Sequence, residues 1–199
     1  MTGASRARAR LRRGLETAAR LLAWLGGLVL VAIAVMTVVS VSGRALVPLG
    51  LGPVPGDFEL VEMGTAVAVF SFLPWCQLRR GHVTVDILVD RFPPRLAALF
   101  QFLGDLVLLA FAALIAWRLW FGFGEKLPYL DQPLRDALGF GYKPFFPETT
   151  YILGMPVWYG FALALPGALL FVLAALLTAW ESAAAILAGH GPAQGEVVE

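Results

Sequence analysis

The residues best suited to chemistry lie in a polar stretch between two apolar runs, QLRRGHVTVDILVDRFPPR at residues 77–95. His82 and Asp86 are four residues apart, so on a helix they share one face and the carboxylate could orient the imidazole for proton transfer. No activated nucleophile or metal partner accompanies them. We therefore interpret His82 and Asp86 as a hydrogen-bonded pair that organises a turn, with a small membrane enzyme as the alternative.

A second group of ionisable residues lies at the ends of apolar runs, where each charge needs a partner or a purpose. Arg44 follows one run, Glu59 and Glu62 begin the next, and Arg118 lies near the end of a third. Glu59 and Glu62 are three residues apart and share a helix face, as a cation site would require. No other acidic or amide residue in that run completes a cation site, so we predict a shared ion-pair network that fixes the helix ends.

Asp105 is the ionisable residue furthest inside an apolar run. It lies nine residues into the run that begins at residue 96, which corresponds to a depth of about 14 Å on a helix. A proton relay at this depth would need a chain of polar partners, and the other runs offer few. We expect Asp105 to make a polar contact with another helix or with a second protein, and the neighbouring Gly104 would permit close approach.

The remaining composition excludes several classes of site. The chain has one cysteine, Cys76, and only two histidines, His82 and His190, so we expect no zinc site, no bis-histidine haem, no intrachain disulfide and no other cofactor. No basic face with interleaved aromatic residues lies outside the N-terminal tail, which argues against nucleic-acid binding.

The elements that must position these residues are membrane spans. Hydrophobic residues make up 59% of the 199 residues, charged residues 15%, and the mean hydropathy is +0.76. A helix needs about 20 apolar residues to cross the hydrocarbon core, and an isolated segment in lipid must satisfy its own backbone hydrogen bonds. We predict an all-α integral membrane protein with four transmembrane helices, at residues 21–43, 58–78, 96–121 and 151–180.

Glycines and prolines add detail to these spans. Gly26, Gly27 and Gly167 have the small size found at helix contacts. Pro156 and Pro166 are expected to bend or break the fourth helix.

The distribution of basic residues predicts the orientation. Ten Lys and Arg residues lie in the N-terminal tail and the second connection, against four in the first and third connections, which places both termini in the cytoplasm. Residues 1–20 are then a basic amphipathic arm on anionic lipid, residues between spans two and three form an interfacial helix, and residues 181–199 are a disordered tail. The long aromatic connection at 122–150 either packs on the membrane face or meets a partner.

One stretch of the sequence resembles the signature of a known protein family. FELVEMGTAVAVFSFLPWCQLRRGHVTVDIL is similar to the signature of the small, DctQ-type membrane subunit of tripartite ATP-independent periplasmic (TRAP) transporters. Glu59 takes the acidic position that opens the second span, and Gly81, His82 and Asp86 match the motif after its cytoplasmic end. Arg44 matches an arginine that closes span one, and GMPVWYGFALALPGALLFVL resembles the fourth span.

This resemblance implies a role in a three-part secondary transporter of the bacterial inner membrane. A periplasmic binding protein would capture an organic acid or related solute, and a large permease subunit would carry it with sodium. The small subunit would be non-enzymatic and would brace the large one. Besides a membrane enzyme, the remaining alternative is a stand-alone carrier or channel formed by oligomers.

Overall fold

The protein is described by a computed structural model over residues 3–80 and 93–187. Long helices dominate it, and the only pairing of extended backbone in these ranges is an isolated bridge between Thr149 and Pro156. The helices are α1 Gly3–Ala45, α2 Asp57–Leu78, α3 Pro94–Lys126, α4 Gln132–Leu138 and α5 Trp158–Leu187, with a 3-10 turn at Val47–Leu49.

Four of these helices are long and apolar enough to cross a membrane, which confirms the predicted fold class. They include α1 from Ala9, α2, α3 from Leu96, and α5. The protein is therefore an all-α, multi-pass membrane protein. The interfacial helix predicted between spans two and three falls on residues 81–92, which lie outside the described residues.

The basic arm and the first span form one unbroken helix. α1 runs from Gly3 to Ala45, and no proline interrupts it. Leu15 and Ala19 of the arm pack against Leu78 at the end of α2 and against Ala174 and Leu177 in the second half of α5. The arm therefore contacts the membrane domain, and its contact with a lipid surface stays a prediction.

The four long helices pack in the spatial order α1, α2, α5, α3 rather than as a closed bundle. α2 packs against α1 and α5, and α5 packs against α3. Gly26 of α1 lies against Ser71 and Ala68 of α2, and Gly167 of α5 lies against the backbone of Phe70. Both contacts agree with the predicted role of small residues. Gly27 and Gly104, in contrast, face open space in the described structure.

The fourth span begins later than its hydropathy suggests. The prediction placed its start at residue 151, but α5 begins at Trp158. Gly154 has a φ of +63°, and the backbone N–H of Thr150 donates to the Met155 carbonyl in a turn. Pro156 therefore precedes the helix and does not break it, whereas Pro166 lies within α5 as predicted.

Candidate functional site

The end of the helix row at which α2 ends, called the inner end below, contains a buried polar cluster centred on Asp105. One carboxylate oxygen, Oδ2, accepts a hydrogen bond from Ser182 Oγ at 2.5 Å and from Arg80 Nη1 at 3.2 Å. Asp105 is only 6% exposed, and the Arg80 side chain is 12% exposed. The cluster therefore joins the end of α2, the first half of α3 and the last turns of α5.

Two further side chains extend this inner cluster along α5. Arg80 Nη2 donates to Ser182 Oγ at 3.1 Å and to the Thr178 carbonyl at 3.4 Å, and Gln77 Nε2 donates to Thr178 Oγ1 at 2.8 Å. Arg80 has a φ of +51°, a left-handed conformation that disfavours a residue with a Cβ. These contacts hold the chain in that conformation where α2 ends.

Asp105 makes the contact with another helix that the sequence suggested, through Ser182 of α5. It also accepts a hydrogen bond from Arg80, the second residue past the end of α2. Its depth in a membrane stays a prediction. Gly104 does not provide the close approach, since it faces open space among the described residues.

The opposite end of the row, at which α2 begins, is called the outer end and has a second cluster, centred on Asp57. Its Oδ2 accepts hydrogen bonds from Arg44 Nη2 and Ser40 Oγ, both at 2.5 Å. Ser40 Oγ in turn accepts a hydrogen bond from the backbone N–H of Val54 at 3.2 Å, and the Arg44 guanidinium lies 5.3 Å from the Phe58 ring centroid. The cluster fixes the connection between α1 and α2.

Glu59 holds a different part of the outer end. Its two carboxylate oxygens accept hydrogen bonds from the backbone N–H groups of Ile152 at 2.6 Å and Leu153 at 3.0 Å. Leu153 also packs closely over Gly56, the residue before α2. Glu59 therefore ties the turn that precedes α5 to the start of α2.

The predicted single network of Arg44, Glu59, Glu62 and Arg118 is wrong. Arg44 pairs with Asp57, which lies two residues closer to the connection than Glu59, and Glu59 is satisfied by main-chain donors. Glu62 and Arg118 are both exposed, and no hydrogen bond or ion pair joins either to a described residue.

Arg135 is a further functional residue that the sequence did not reveal, besides Arg80 and Asp57. It is completely buried and donates to the carbonyls of Leu127 at 2.7 Å, Gly124 at 2.8 Å and Gly141 at 3.1 Å. Further bonds reach the carbonyls of Phe140 and Tyr142. No spacing pattern marks this arginine, because its partners are main-chain atoms rather than carboxylates. The outer connection is thus an ordered structure built around one guanidinium group.

Three predicted site residues, Gly81, His82 and Asp86, lie outside the described residues, so the His82–Asp86 pair stays a prediction. In the ranges that the structure describes, no group of three His, Cys, Asp or Glu residues could hold a metal ion. The described clusters instead pair charges and backbone groups at both ends of the helix row. Chemically, this arrangement can lock helices together.

The sequence matches the family described as "Tripartite ATP-independent periplasmic transporters, DctQ component" over residues 33–185. The chain belongs to the DctQ family. The match begins inside α1 and ends near the end of α5, so it includes α2 and α3 entirely and leaves out the basic arm. Searches of curated proteins and of solved structures gave no significant match.

Membership in the DctQ family indicates the general role of this four-helix protein. The chain is a small membrane-spanning component of a TRAP transporter, and it works in a complex with other components of that transporter. DctQ is a family of transporter components, which fits a chain whose described polar clusters join helices.

Proposed function

We propose that the chain braces the large permease subunit of a TRAP transporter for sodium-coupled uptake of an organic acid or related solute. A periplasmic binding protein would deliver the solute. Membership in the DctQ family supports a role in this type of transporter. The observation that carries the bracing role is a face of α2 that the described chain leaves uncovered.

The uncovered face of α2 differs in character from the lipid-facing side of α1. On α2 the exposed residues include Glu62, Thr65 and Ala66, whereas α1 exposes large apolar side chains such as Leu28 and Val35. Small and hydroxyl residues let two helices approach closely within a membrane, and a carboxylate against lipid is costly. The α2 face therefore suits a helix of the large subunit better than it suits lipid.

Arg118 supports this proposal less than Glu62 does. It is exposed on α3, eight residues before the last residue, Lys126, which places it about 12 Å from that end. A long arginine side chain can extend to the headgroup region while its stem stays in hydrocarbon. Arg118 can therefore be satisfied by lipid. Glu62 is five residues, or about 8 Å, from the start of α2, so it supports a partner helix through its position beside the exposed Thr65 and Ala66.

The described helices favour a bracing subunit over a stand-alone carrier. Most of their buried polar groups lie at the two ends of the row and are engaged with one another or with main-chain atoms. Gln77 Oε1 and Trp158 Nε1 are buried without a hydrogen-bond partner among the described residues. A transport pathway would instead place polar groups along the middle of the spans. The substrate and the sodium ions are accordingly assigned to the large subunit.

The orientation proposed here places the aromatic outer connection on the periplasmic side. With both termini in the cytoplasm of a bacterial inner membrane, the positive-inside rule is satisfied. Tyr142, Phe145, Phe146 and Tyr151 are then exposed on the face from which a binding protein would approach. These aromatic residues offer contact area to that protein or to the lipid interface.

Purification of the tagged chain from its native membranes tests the main proposal. A larger multi-span protein should be recovered with the chain. We expect Ala66→Trp to abolish that recovery, because the bulky ring would separate the α2 face from a partner helix. The matched control Val35→Trp adds the same ring to the lipid-facing side of α1 and should leave recovery unchanged. A stable chain recovered without a larger protein would overturn the proposal.

A separate assay addresses the alternative that His82 and Asp86 form a catalytic pair. Under the bracing proposal, His82→Ala should affect transport only through assembly of the complex. A variant that assembles normally and yet loses a chemical reaction would favour the membrane enzyme. Liposomes that contain only this chain should show no solute flux, and measurable flux would favour a stand-alone carrier.

A further inference from the structure

The second half of the connection between α3 and α5 carries large aromatic side chains that the described chain leaves almost bare. Tyr142 is 90% exposed, Phe145 91%, Phe146 78% and Tyr151 100%. The Phe145 and Phe146 rings contact each other edge to face, with centroids 4.8 Å apart. Residues 142–152 are called the aromatic segment below. Large apolar side chains exposed so close together in sequence mark an interaction surface.

The connection folds back along α3 before the aromatic segment begins. Trp120 lies six residues, or about 9 Å, before the end of α3, and its Nε1 donates to the Leu138 carbonyl at 3.3 Å. Phe140 is buried, lies closely over Gly124, and has its ring centroid 4.9 Å from that of Trp120. The chain therefore enters the aromatic segment beside the last two turns of α3 rather than beyond them.

This fold-back places irregular backbone beside an apolar helix, and its carbonyl groups have donors within the protein. The buried Arg135 donates to the carbonyls of Phe140 at 3.3 Å, Gly141 at 3.1 Å and Tyr142 at 3.1 Å. Water would satisfy exposed carbonyl groups without a donor from the protein, whereas hydrocarbon would not. Internal donors of this kind suit backbone that borders the membrane.

Further contacts hold the rest of the aromatic segment at the level of the helix ends. In its second half, Glu148 pairs with Lys126, the last residue of α3. At its end, the backbone N–H groups of Ile152 and Leu153 donate to the carboxylate of Glu59, in the first turn of α2. The segment is therefore attached near a helix end at its start, along its length and at its end, which keeps it close to the membrane boundary.

The aromatic segment carries little charge that would oppose contact with lipid. Its one carboxylate, Glu148, already has a cationic partner. Lys143 is exposed, and its long side chain can reach water from an interfacial position. The exposed Asp131 and Asp136 lie instead at the start of α4 and within it. The first half of the connection therefore suits water, and the second half suits lipid.

We propose that the aromatic segment rests in the interfacial layer of the lipid bilayer, with Tyr142, Phe145 and Phe146 between the headgroups and the upper acyl chains. Aromatic side chains are favoured in this layer, because their rings leave water while a polar end stays wet. Lipid is always present, whereas a soluble binding protein that dissociates would return these rings to water. This placement depends on the four membrane-spanning helices and not on the bracing role.

Spin labels at single cysteines test the placement in the full-length chain, reconstituted in liposomes of phosphatidylcholine and phosphatidylglycerol. Cys76→Ser first removes the native cysteine. Labels at Tyr142→Cys and Phe145→Cys should collide with a water-soluble nickel chelate about threefold less often than a label at the matched control Asp131→Cys. Asp131 is exposed in the same connection, and its side chain makes no capping hydrogen bond. Collisions with oxygen, which concentrates in lipid, should be more frequent at the two aromatic positions.

The other outcomes would overturn the lipid contact. One is nickel access at Tyr142 and Phe145 equal to that at Asp131. Another is low nickel access that appears only after a periplasmic fraction is added, which would assign the aromatic segment to a soluble protein. Tyr142 is almost fully exposed, so its substitution removes little packing, and circular dichroism checks the helix content of each variant. The liposomes contain no large subunit, so failure here would leave the bracing proposal intact.

Discussion

At the scale of single residues, the inner ion pair between Arg80 and Asp105 has the largest energetic consequences. Both side chains are largely removed from solvent, and Ser182 bonds to each of them. Transfer of either charge alone into such a site is costly, and the cost is offset only when the partner and its hydrogen bonds are present. Loss of one member therefore leaves the other as an uncompensated buried charge.

We predict that Asp105→Ala lowers the free energy of unfolding by about 3 kcal/mol or more. Reversible unfolding in mixed micelles, followed by circular dichroism, measures this change. Arg118→Gln is the matched control, because it removes a charge from an exposed position of the same helix and should cost less than about 0.5 kcal/mol. The double variant Asp105→Leu with Arg80→Leu should recover much of the loss, and an Asp105→Ala cost no larger than the control would contradict the assignment.

At the scale of elements, the two outer connections are held by different means. The α1–α2 connection depends on Asp57, which pairs with Arg44 and Ser40. The longer connection before α5 depends on Arg135, whose guanidinium replaces the regular backbone hydrogen bonds that this segment lacks. Each connection therefore has a central side chain whose loss should loosen that connection first.

A double-mutant cycle should distinguish the partners of Arg44. We expect a coupling of about 0.5–1 kcal/mol between Arg44→Gln and Asp57→Asn, because the pair is partly exposed. Arg44→Gln and Glu59→Gln should be additive within about 0.3 kcal/mol, since they share no partner. The free energy of unfolding of the singles and doubles provides both numbers. Coupling to Glu59 rather than Asp57 would show that the observed pairing is incorrect.

Arg135→Ala should expose the connection between α3 and α5 to proteolysis. Its removal leaves several buried carbonyl groups unpaired, at about 1–3 kcal/mol for each group that water cannot reach. Limited proteolysis with chymotrypsin, which cleaves after aromatic residues such as the exposed Tyr142 and Phe145, measures the cleavage rate. The control Lys143→Ala removes an exposed charge from the same connection and should leave the rate unchanged. Equal rates in both variants would argue against a structural role for Arg135.

At the scale of the whole molecule, the row of helices depends on close contacts at a few glycines. Gly167 of α5 lies against the backbone of Phe70 in α2, where a Cβ would collide with main-chain atoms that cannot move independently. Gly27 of α1 faces open space. The same substitution at the two positions should therefore have opposite effects.

We predict that Gly167→Ala destabilises the protein by about 1–3 kcal/mol, because α2 and α5 must separate. Gly27→Ala should be neutral or stabilising by up to about 1 kcal/mol, as expected when alanine replaces glycine within a helix. Unfolding in mixed micelles measures both variants. The large subunit should also be recovered poorly with Gly167→Ala and normally with Gly27→Ala. A stabilising Gly167→Ala would contradict the close α2–α5 contact.

The sequence marked Asp105 and Arg44 as charges that need partners, because the cost of an ion near hydrocarbon can be estimated from one residue. Their actual partners, Arg80 and Asp57, depend on the relative heights of neighbouring helices. No sequence pattern identified Arg135, since its partners are main-chain carbonyl groups, which every residue has.

The sequence by itself determined the all-α membrane class, the four spans and the family resemblance. Hydropathy sums the transfer free energy of consecutive residues, so a long apolar run specifies a spanning helix whatever surrounds it. Only the tertiary structure decided the order of the helices, the pairing of the charges at each end and the late start of α5. These features depend on contacts between residues distant in sequence, and the periodicity of a single helix contains no information about the height or rotation of its neighbour.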